Sequence, residues 1–199
     1  MNAHRGKIVA LAIATAVAAA TLVVAADGRS GPSPSELDPS AFAWVRPSAL
    51  PPGWTAQRLP NSPARLPTPS GWHPSRGDAG TRTTIVKGPD GRIAGYLNAT
   101  PRQGEESTAS WDSFRVDHNR DEGERRVRLL ASATGLRFRS GSGSCVLDSY
   151  VTTSGHRYRE VACIVAGRTE TTVVVGAAPP RGWDAKAPAI ERAIDSFTT

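Results

Sequence analysis

The sequence contains few of the side chains from which metal and catalytic sites are built. It has two cysteines and four histidines in 199 residues, and no two histidines stand at the H-x-x-x-H spacing of a metal-binding pair. A G-x-S-x-G nucleophile motif, a Walker sequence and a dinucleotide fingerprint are all missing. We therefore expect no metal and no cofactor, and these absences argue against the common nucleotide-binding and serine-hydrolase classes.

Lysine is also scarce, so the basic charge comes almost entirely from arginine. Only Lys7, Lys87 and Lys186 are lysine, whereas 24 basic residues face 18 acidic ones and the formal net charge is +6. A basic exported domain can contact anionic lipid or envelope polymers. A GC-rich coding bias would produce the same richness in arginine, alanine, glycine and proline without a functional cause.

The two cysteines flank a turn signal. The Thr-Ser-Gly at residues 153–155 fits a three-residue hairpin loop in which glycine occupies the left-handed position. The register that follows from this loop places Cys145 directly opposite Cys163, at the Cα separation of about 4.5–5.5 Å that a disulfide can bridge. We predict a disulfide bond between these residues, and two buried free cysteines are the alternative.

A disulfide implies an oxidising compartment, and the N-terminus carries an export signal. Arg5 and Lys7 precede residues 8–26, which have no charge. This apolar run is longer than the roughly 7–15 residues of a secretory signal and close to the about 20 that span a bilayer. We predict a signal peptide or membrane anchor at residues 1–26 and favour an anchor that contacts the membrane through residues 8–26. Cleavage before Asp27 is the alternative, and either outcome places the remainder outside the membrane.

A proline- and serine-rich stretch separates this segment from the rest of the chain. Such a composition favours an extended tether, and we predict a linker at residues 27–52, interrupted by the apolar residues Phe42, Trp44 and Val45, which are candidates for docking on the domain. Residues 53–199 are long enough for one domain with its own core.

The pattern within this domain predicts an antiparallel sheet with two helices. Residues 83–99 read as a hairpin around a Pro-Asp-Gly turn, and residues 107–119 read as a helix. Residues 127–138 read as one or two strands with a turn at Gly135. The β-branched run at 171–178 reads as a central strand.

The C-terminal stretch predicts the second helix. Pro188 suits its first turn, and Ile190, Ile194 and Phe197 share one apolar face. The fold class is therefore α+β: a largely antiparallel β-sheet flanked by two helices, preceded by an N-terminal apolar helix and a proline-rich linker.

Two groups of polar residues are candidate catalytic sites. His118 lies beside Asp117 and Asp121 and has the chemistry of a general base, although a charged window of this kind is also typical of a solvated helix end. Asp148 and Glu160 face each other in the predicted hairpin register. Like charges directly opposed are destabilising, so the pair implies a cation such as Arg157 or Arg159, a bound metal, or exposure to solvent, which is the commoner resolution.

Four arginines form a possible anion-binding surface. Arg137 and Arg139 alternate on one predicted strand, and Arg157 and Arg159 alternate on another, so each pair lies on one face of the sheet. Should the two pairs be neighbours, they would present four guanidinium groups suited to phosphate or carboxylate. The alternative is that all four are ordinary solvent-facing residues.

The order of these motifs resembles the PsbP-like α/β/α sandwich domains of actinobacterial envelope proteins, which include LpqN-type lipoproteins and the extracellular domains of serine/threonine kinases. The resemblance covers about residues 50–199. Its motifs are typical of the fold and include no catalytic residues. This chain departs from the LpqN type in lacking a lipidation cysteine and from the kinase-attached members in lacking a kinase domain. The motifs that carry it are P-x-G-W at 51–54, YLNATP at 96–101, a tryptophan-bearing helix from Ser107, the cysteine hairpin, VVVGAAPP at 173–180, W-D at 183–184 and IERAIDSF at 190–197.

These observations together favour a non-catalytic extracytoplasmic binding or interaction module of the bacterial cell envelope. Its expected partner is an anionic envelope polymer or another envelope protein, because nucleic acid is not expected outside the membrane. An envelope hydrolase using His118 or the Asp148 and Glu160 pair is one alternative. An accessory subunit of a membrane enzyme is the other.

Overall fold

The computed structural model describes residues 39–199. The predicted signal or anchor at residues 1–26, with its N-terminal apolar helix, and the first part of the predicted linker lie outside the described residues. Over residues 39–199, no helix combines the length and the apolar character needed to cross a bilayer.

Seven strands form one antiparallel sheet in the order β3-β4-β5-β9-β8-β7-β6, and two further strands, β1 and β2, form a separate hairpin. All pairings are antiparallel. The predicted run at 171–178 is indeed the central strand β9, since it lies between the β4–β5 hairpin and the β8–β7–β6 meander. The strands are β1 Thr55–Arg58, β2 Arg65–Thr68, β3 His73–Ser75, β4 Arg82–Lys87, β5 Ile93–Pro101, β6 Arg125–Phe138, β7 Gly141–Val151, β8 Arg157–Gly167 and β9 Thr171–Ala178.

Two helices, α1 (Trp111–Asp121) and α2 (Trp183–Ser196), lie on opposite faces of the sheet. Val174 packs in the same buried cluster as Ile190 and Ile194 of α2, whereas Val173 packs with Trp111 of α1. Successive residues of a strand point to opposite faces, so the sheet carries one helix on each side. This arrangement confirms the predicted antiparallel sheet with two flanking helices.

The cysteine hairpin has the predicted register. Cys145 pairs with Cys163, their sulfur atoms are 2.04 Å apart, and Gly155 closes the loop at a φ of 88°. Both cysteines lie in the buried cluster on the α2 face. The predicted disulfide bond is therefore confirmed.

Both helices begin at other positions than the sequence pattern indicated. α1 begins at Trp111, and Ser110 precedes it without a side-chain capping hydrogen bond. α2 begins at Trp183, directly after a 3-10 turn at Pro180–Gly182, so Pro188 lies inside the helix. The expectation that Pro188 stands in the first turn was wrong. The helix already begins at Trp183, after a 3-10 turn whose first residue is Pro180.

β6 is one continuous strand, and Gly135 does not divide it. The pairing with β7 shifts register three times, once between Ala133 and Leu136, and Gly135 takes a φ of 68° within that shift. A glycine in the left-handed region is typical of a β-bulge. Gly135 thus marks a bulge in an edge strand.

The second half of the proline-rich stretch packs on the domain. Phe42 is the last residue of a 3-10 turn at Pro39–Phe42 and is buried, while Trp44 and Val45 pack against the same cluster. The backbone N–H of Arg46 donates to the Asp195 carboxylate at 2.8 Å. Side chains from this stretch therefore contribute to the core.

Candidate functional site

The four predicted arginines do not form one surface. Arg137 pairs with Ser142 of β7, whereas Arg157 pairs with Val151 at the other end of the same strand. At roughly 3.3 Å per residue these two positions are about 30 Å apart. The two pairs are therefore not neighbours. A sequence pattern indicates the face of each pair but leaves its position along the sheet open.

Arg159 is also unavailable as part of such a surface. Its guanidinium carbon lies 5.3 Å from the ring centroid of Trp183, a cation–π distance. Its Nε atom is buried with no hydrogen-bond partner among the described residues. Arg159 therefore packs against the start of α2.

Arg157 instead joins two arginines from β6, which the sequence reasoning had not selected. Arg126, Arg128 and Arg157 line one depression of about 280 Å³, which we call the arginine pocket. β6 and β8 are both paired with β7, so this cluster depends on a strand order that spacing along the chain does not encode. The remaining lining residues are Ser149, Tyr150, Val151, Tyr158 and Pro180.

The arginine pocket adjoins a larger groove. Arg157, Tyr158 and Pro180 line both cavities, and the groove has a volume of about 1280 Å³. Its remaining lining mixes apolar and charged side chains: Ile85, Lys87, Asp90, Gly91, Arg92, Ile93, Ala94, His156, Pro179 and Arg181. We call the groove and the arginine pocket together the basic groove.

The cations of the basic groove are largely unpaired. Among residues 39–199, Arg126, Arg128 and Arg157 have no carboxylate oxygen within 4.0 Å, and neither do Lys87 and Arg181. Arg92 alone has an acidic neighbour there, Asp90, at 3.9 Å. Several cations held together without counter-charges favour the binding of an anion.

A second polar group lies inside the sandwich between α1 and the sheet. Glu160 and Asp148 oppose each other on β8 and β7 as predicted, but both are fully buried, so the expectation of solvent exposure was wrong. The group, which we call the buried polar cluster, consists of Tyr96, Arg115, Asn119, Asp148, Tyr150 and Glu160.

Arg115 supplies the cation that this pair requires. Its Nε donates to Glu160 Oε1 at 2.9 Å, and Nη2 donates to the same oxygen. Burial lowers the pKa of Arg115, but the charges of Glu160 and Asp148 and the hydrogen bond to Glu160 together outweigh this effect, so the pKa is raised. Neither Arg157 nor Arg159, the cations proposed from the sequence, makes this contact. The opposed carboxylates indicated that a cation is needed. They did not indicate that it comes from α1, because Arg115 is 45 residues from Glu160 in the sequence.

Two tyrosines complete the shell of Glu160. The hydroxyls of Tyr96 and Tyr150 donate to Glu160 Oε2 at 3.1 and 3.0 Å. Burial, and then the charge of Glu160, raises the pKa of both hydroxyls, so they remain protonated donors. The Glu160 carboxylate is fully enclosed by donors and has no free face for a substrate.

Asp148 is the poorly satisfied member of the cluster. Asn119 Nδ2 donates to its Oδ2 at 3.2 Å, while its Oδ1 has no hydrogen-bond partner among the described residues. Burial, followed by the nearby charge of Glu160, raises the pKa of Asp148 to about 8. Asp148 is therefore protonated at neutral pH, which leaves one negative charge opposite Arg115.

His118 belongs to neither group. It lies on α1 with its ring stacked on Phe114 at 5.8 Å, and its Nε2 is 3.2 Å from Glu122 on the exposed surface. In the part of the chain from Pro39 onward, His, Cys, Asp and Glu residues form no group of three that could hold a metal ion. The carboxylate that the structure brings to His118 is that of Glu122, one turn along α1, and this pair lies on the exposed surface and not in a cleft.

Comparison with known proteins shows the fold. No protein-family model and no curated protein matches the sequence, but solved structures do. The chain is similar to PsbP (CyanoP) from the cyanobacterium Synechocystis, with 9% identity and a TM-score of 0.54 over 73% of this chain and 92% of that one. The predicted PsbP-like fold is thereby confirmed.

Two further solved structures are similar over comparable lengths. A Pseudomonas aeruginosa protein of unknown function is 13% identical, with a TM-score of 0.49 over 73% of this chain and 96% of its own. LpqN of Mycobacterium tuberculosis, involved in cell envelope biogenesis, is 15% identical, with a TM-score of 0.35 over 75% of this chain and 81% of its own.

Proposed function

We propose that the domain is a non-catalytic, extracytoplasmic binding module of the bacterial cell envelope, and that it binds an anionic ligand in the basic groove. One observation carries this proposal: Arg126, Arg128 and Arg157 converge on one depression without a carboxylate partner among residues 39–199. Unneutralised cations that share a cavity repel one another, and an anion relieves that repulsion.

The buried polar cluster supports a non-catalytic role. A hydrolase that used Asp148 and Glu160 would need both carboxyl groups in a cleft that substrate can enter. Both are fully buried, and neither lines the groove or the arginine pocket. Glu160 already accepts hydrogen bonds from three side chains of the protein, so its contacts are those of a structural ion pair.

The disulfide supports the extracytoplasmic location. Disulfide bonds persist in oxidising compartments and are rare in the cytosol, and Cys145 and Cys163 are bonded here. The uncharged residues 8–26 fit a signal or an anchor that delivers the domain across the membrane. Attachment to the membrane through this segment stays part of the proposal.

Binding of an anionic polymer to the full chain tests the proposal. We would titrate polyphosphate, polygalacturonate and neutral dextran by calorimetry against the native protein and the Arg128→Gln/Arg157→Gln variant. Charge-assisted hydrogen bonds contribute about 1.5–3 kcal/mol each, so the variant should bind the anionic polymers at least about tenfold more weakly. Dextran should bind neither protein.

The Arg137→Gln/Arg139→Gln variant is the matched control. Both of these arginines are exposed, and the change in net charge is the same. Arg137 of β6 lies beside the opposite end of β7, where it pairs with Ser142. Its affinity should stay within about twofold of the native value at 0.15 M salt, where charges farther apart than about 8 Å are screened. Equal losses in the two variants, or no binding of either anionic polymer, would contradict the proposal.

A further inference from the structure

We propose that the arginine pocket is a binding site for a phosphoryl group, as a phosphate monoester or diester. This inference rests on the proposed anionic ligand of the basic groove and specifies its chemistry. It concerns the smaller cavity, where Arg126 and Arg128 approach from β6 and Arg157 from β8.

The strand order places these three residues around the same end of β7. Arg128 pairs with Ser149 of β7, and Arg157 pairs with Val151 of the same strand. The Cα atoms of β6 and β8 are two strand spacings apart, or about 10 Å. Two arginine side chains that start on either side of β7 can therefore reach a group held above its end.

Arg126 is placed by an unusual backbone conformation. The pairing of β6 with β7 shifts register between Arg125 and Arg128, and Arg126 within this shift has a φ of 55°. A non-glycine residue in the left-handed region costs about 1–2 kcal/mol. Bulges redirect a side chain relative to the regular strand, and Arg126 at this one is the third arginine that lines the arginine pocket.

The number and geometry of donors favour phosphate over carboxylate. Each guanidinium has five N–H donors in a planar fork that matches the oxygens of phosphate or carboxylate. A carboxylate has two oxygens, which one or two forks can saturate. A phosphoryl group presents oxygens in several directions and can accept from three arginines together.

A hydroxyl group adds a donor at the same place. Ser149 lines the arginine pocket, and it pairs with Arg159, so its side chain lies on the same face of the sheet as Arg157. Within residues 39–199 the Ser149 hydroxyl makes no hydrogen bond to another residue. A neutral donor beside arginine forks extends the contacts available to a tetrahedral oxyanion. The arginine pocket thus offers four donor side chains around about 280 Å³.

Small probes test the chemistry directly. We would titrate the ¹⁵N-labelled full chain with inorganic phosphate, glycerol 3-phosphate, glycerophosphoglycerol and succinate at equal ionic strength, and follow the amide signals of Ser149 and Val151. We expect at least one phosphorus probe to bind at least about tenfold more tightly than succinate. Preference for the monoesters would indicate a free or terminal phosphate as the source, and preference for glycerophosphoglycerol would indicate a phosphodiester such as a lipid headgroup or polymer backbone.

Three variants distinguish the contribution of the arginine pocket to affinity from that of the net charge of the protein. Arg126→Gln should weaken the preferred probe at least about fivefold, and Arg126→Lys, which keeps the charge but lacks the planar fork, should weaken it by a similar factor. Arg137→Gln changes a β6 residue beside the far end of β7 and should leave affinity unchanged. Full affinity in Arg126→Lys would overturn the phosphoryl geometry.

The outcomes also separate this inference from the proposed function. Succinate binding as tightly as every phosphorus probe would overturn the phosphoryl assignment and leave an anion-binding groove. Binding of the anionic polymers without detectable binding of any small phosphorus probe would do the same. Failure of the polymers to bind would instead remove the proposed function itself.

Discussion

At the scale of single residues, the buried polar cluster shows how the sandwich accommodates an ion pair. Removing a charge from water is expensive, and a buried pair is tolerated only when further hydrogen bonds satisfy it. Glu160 meets this condition through Arg115, Tyr96 and Tyr150. Asp148 does not, and its raised pKa is the consequence.

Asp148→Asn should stabilise the protein at pH 8. The pKa of Asp148 is about 8 when folded and about 3.9 when unfolded, so the folded state keeps a proton that the unfolded state releases. Stability from this group is complete below about pH 4 and is lost as the pH rises towards 8, by up to about 1.4 kcal/mol per pH unit. The variant lacks this loss, so its advantage over the native protein should grow from pH 4.5 to pH 8.

Urea unfolding of both proteins at several pH values measures this difference. Asp117→Asn is the control, because Asp117 is an exposed carboxylate paired with Arg120 on the surface of α1 and such pairs contribute only about 0–1 kcal/mol. Its difference from the native protein should vary little with pH. A native protein more stable than Asp148→Asn at pH 8 would show that Asp148 is needed there in its ionised form.

At the scale of elements, the parts of the fold that local sequence decides were predictable and the rest were not. The hairpin register follows from one loop and the two-residue period of its strands, so the Cys145–Cys163 bond could be placed. The position of Arg137 relative to Arg157 depends on which strand lies between β6 and β8. The partner of Glu160 depends on where α1 docks on the sheet. Neither the strand order nor the position of α1 can be predicted from residues adjacent in the sequence.

Cys145→Ala/Cys163→Ala should lower the free energy of unfolding without abolishing the fold. The two cysteines are 18 residues apart, and closing a loop of this size contributes roughly 3 kcal/mol through the entropy of the unfolded chain. β7 and β8 remain paired along their full length on either side of the bridge, so the hairpin has other support. Urea unfolding should show a loss of about 3 kcal/mol with a native circular dichroism spectrum.

Reduction of the native protein provides the matched test. A reductant that can reach the buried bond should destabilise the native protein by a similar amount and leave the double-alanine variant unchanged. A stability difference below about 0.5 kcal/mol between the oxidised protein and the variant would contradict the entropic role.

At the scale of the whole molecule, the two faces of the sheet are used differently. The α1 face encloses a polar cluster in which charge is balanced internally. The α2 face holds the larger apolar cluster, which includes the disulfide and the segment that enters the domain at Phe42. The basic groove lies at one end of the sheet and is formed by the β4–β5 hairpin, the ends of β6 and β8 and the turn before α2.

The folding unit should therefore begin before residue 53, the predicted start of the domain. Phe42 is only 3% exposed and belongs to the main core cluster, and truncating a buried phenylalanine to alanine costs about 3–5 kcal/mol. Phe42→Ala in the full chain should lower the free energy of urea unfolding by that amount, and Phe42→Leu by less. Arg46→Ala is the control, since the side chain of Arg46 is exposed and its backbone N–H to Asp195 is kept. If Phe42→Ala and Arg46→Ala were equally stable, residues 39–52 would be a tether that adds nothing to the core, and the predicted boundary at residue 53 would stand.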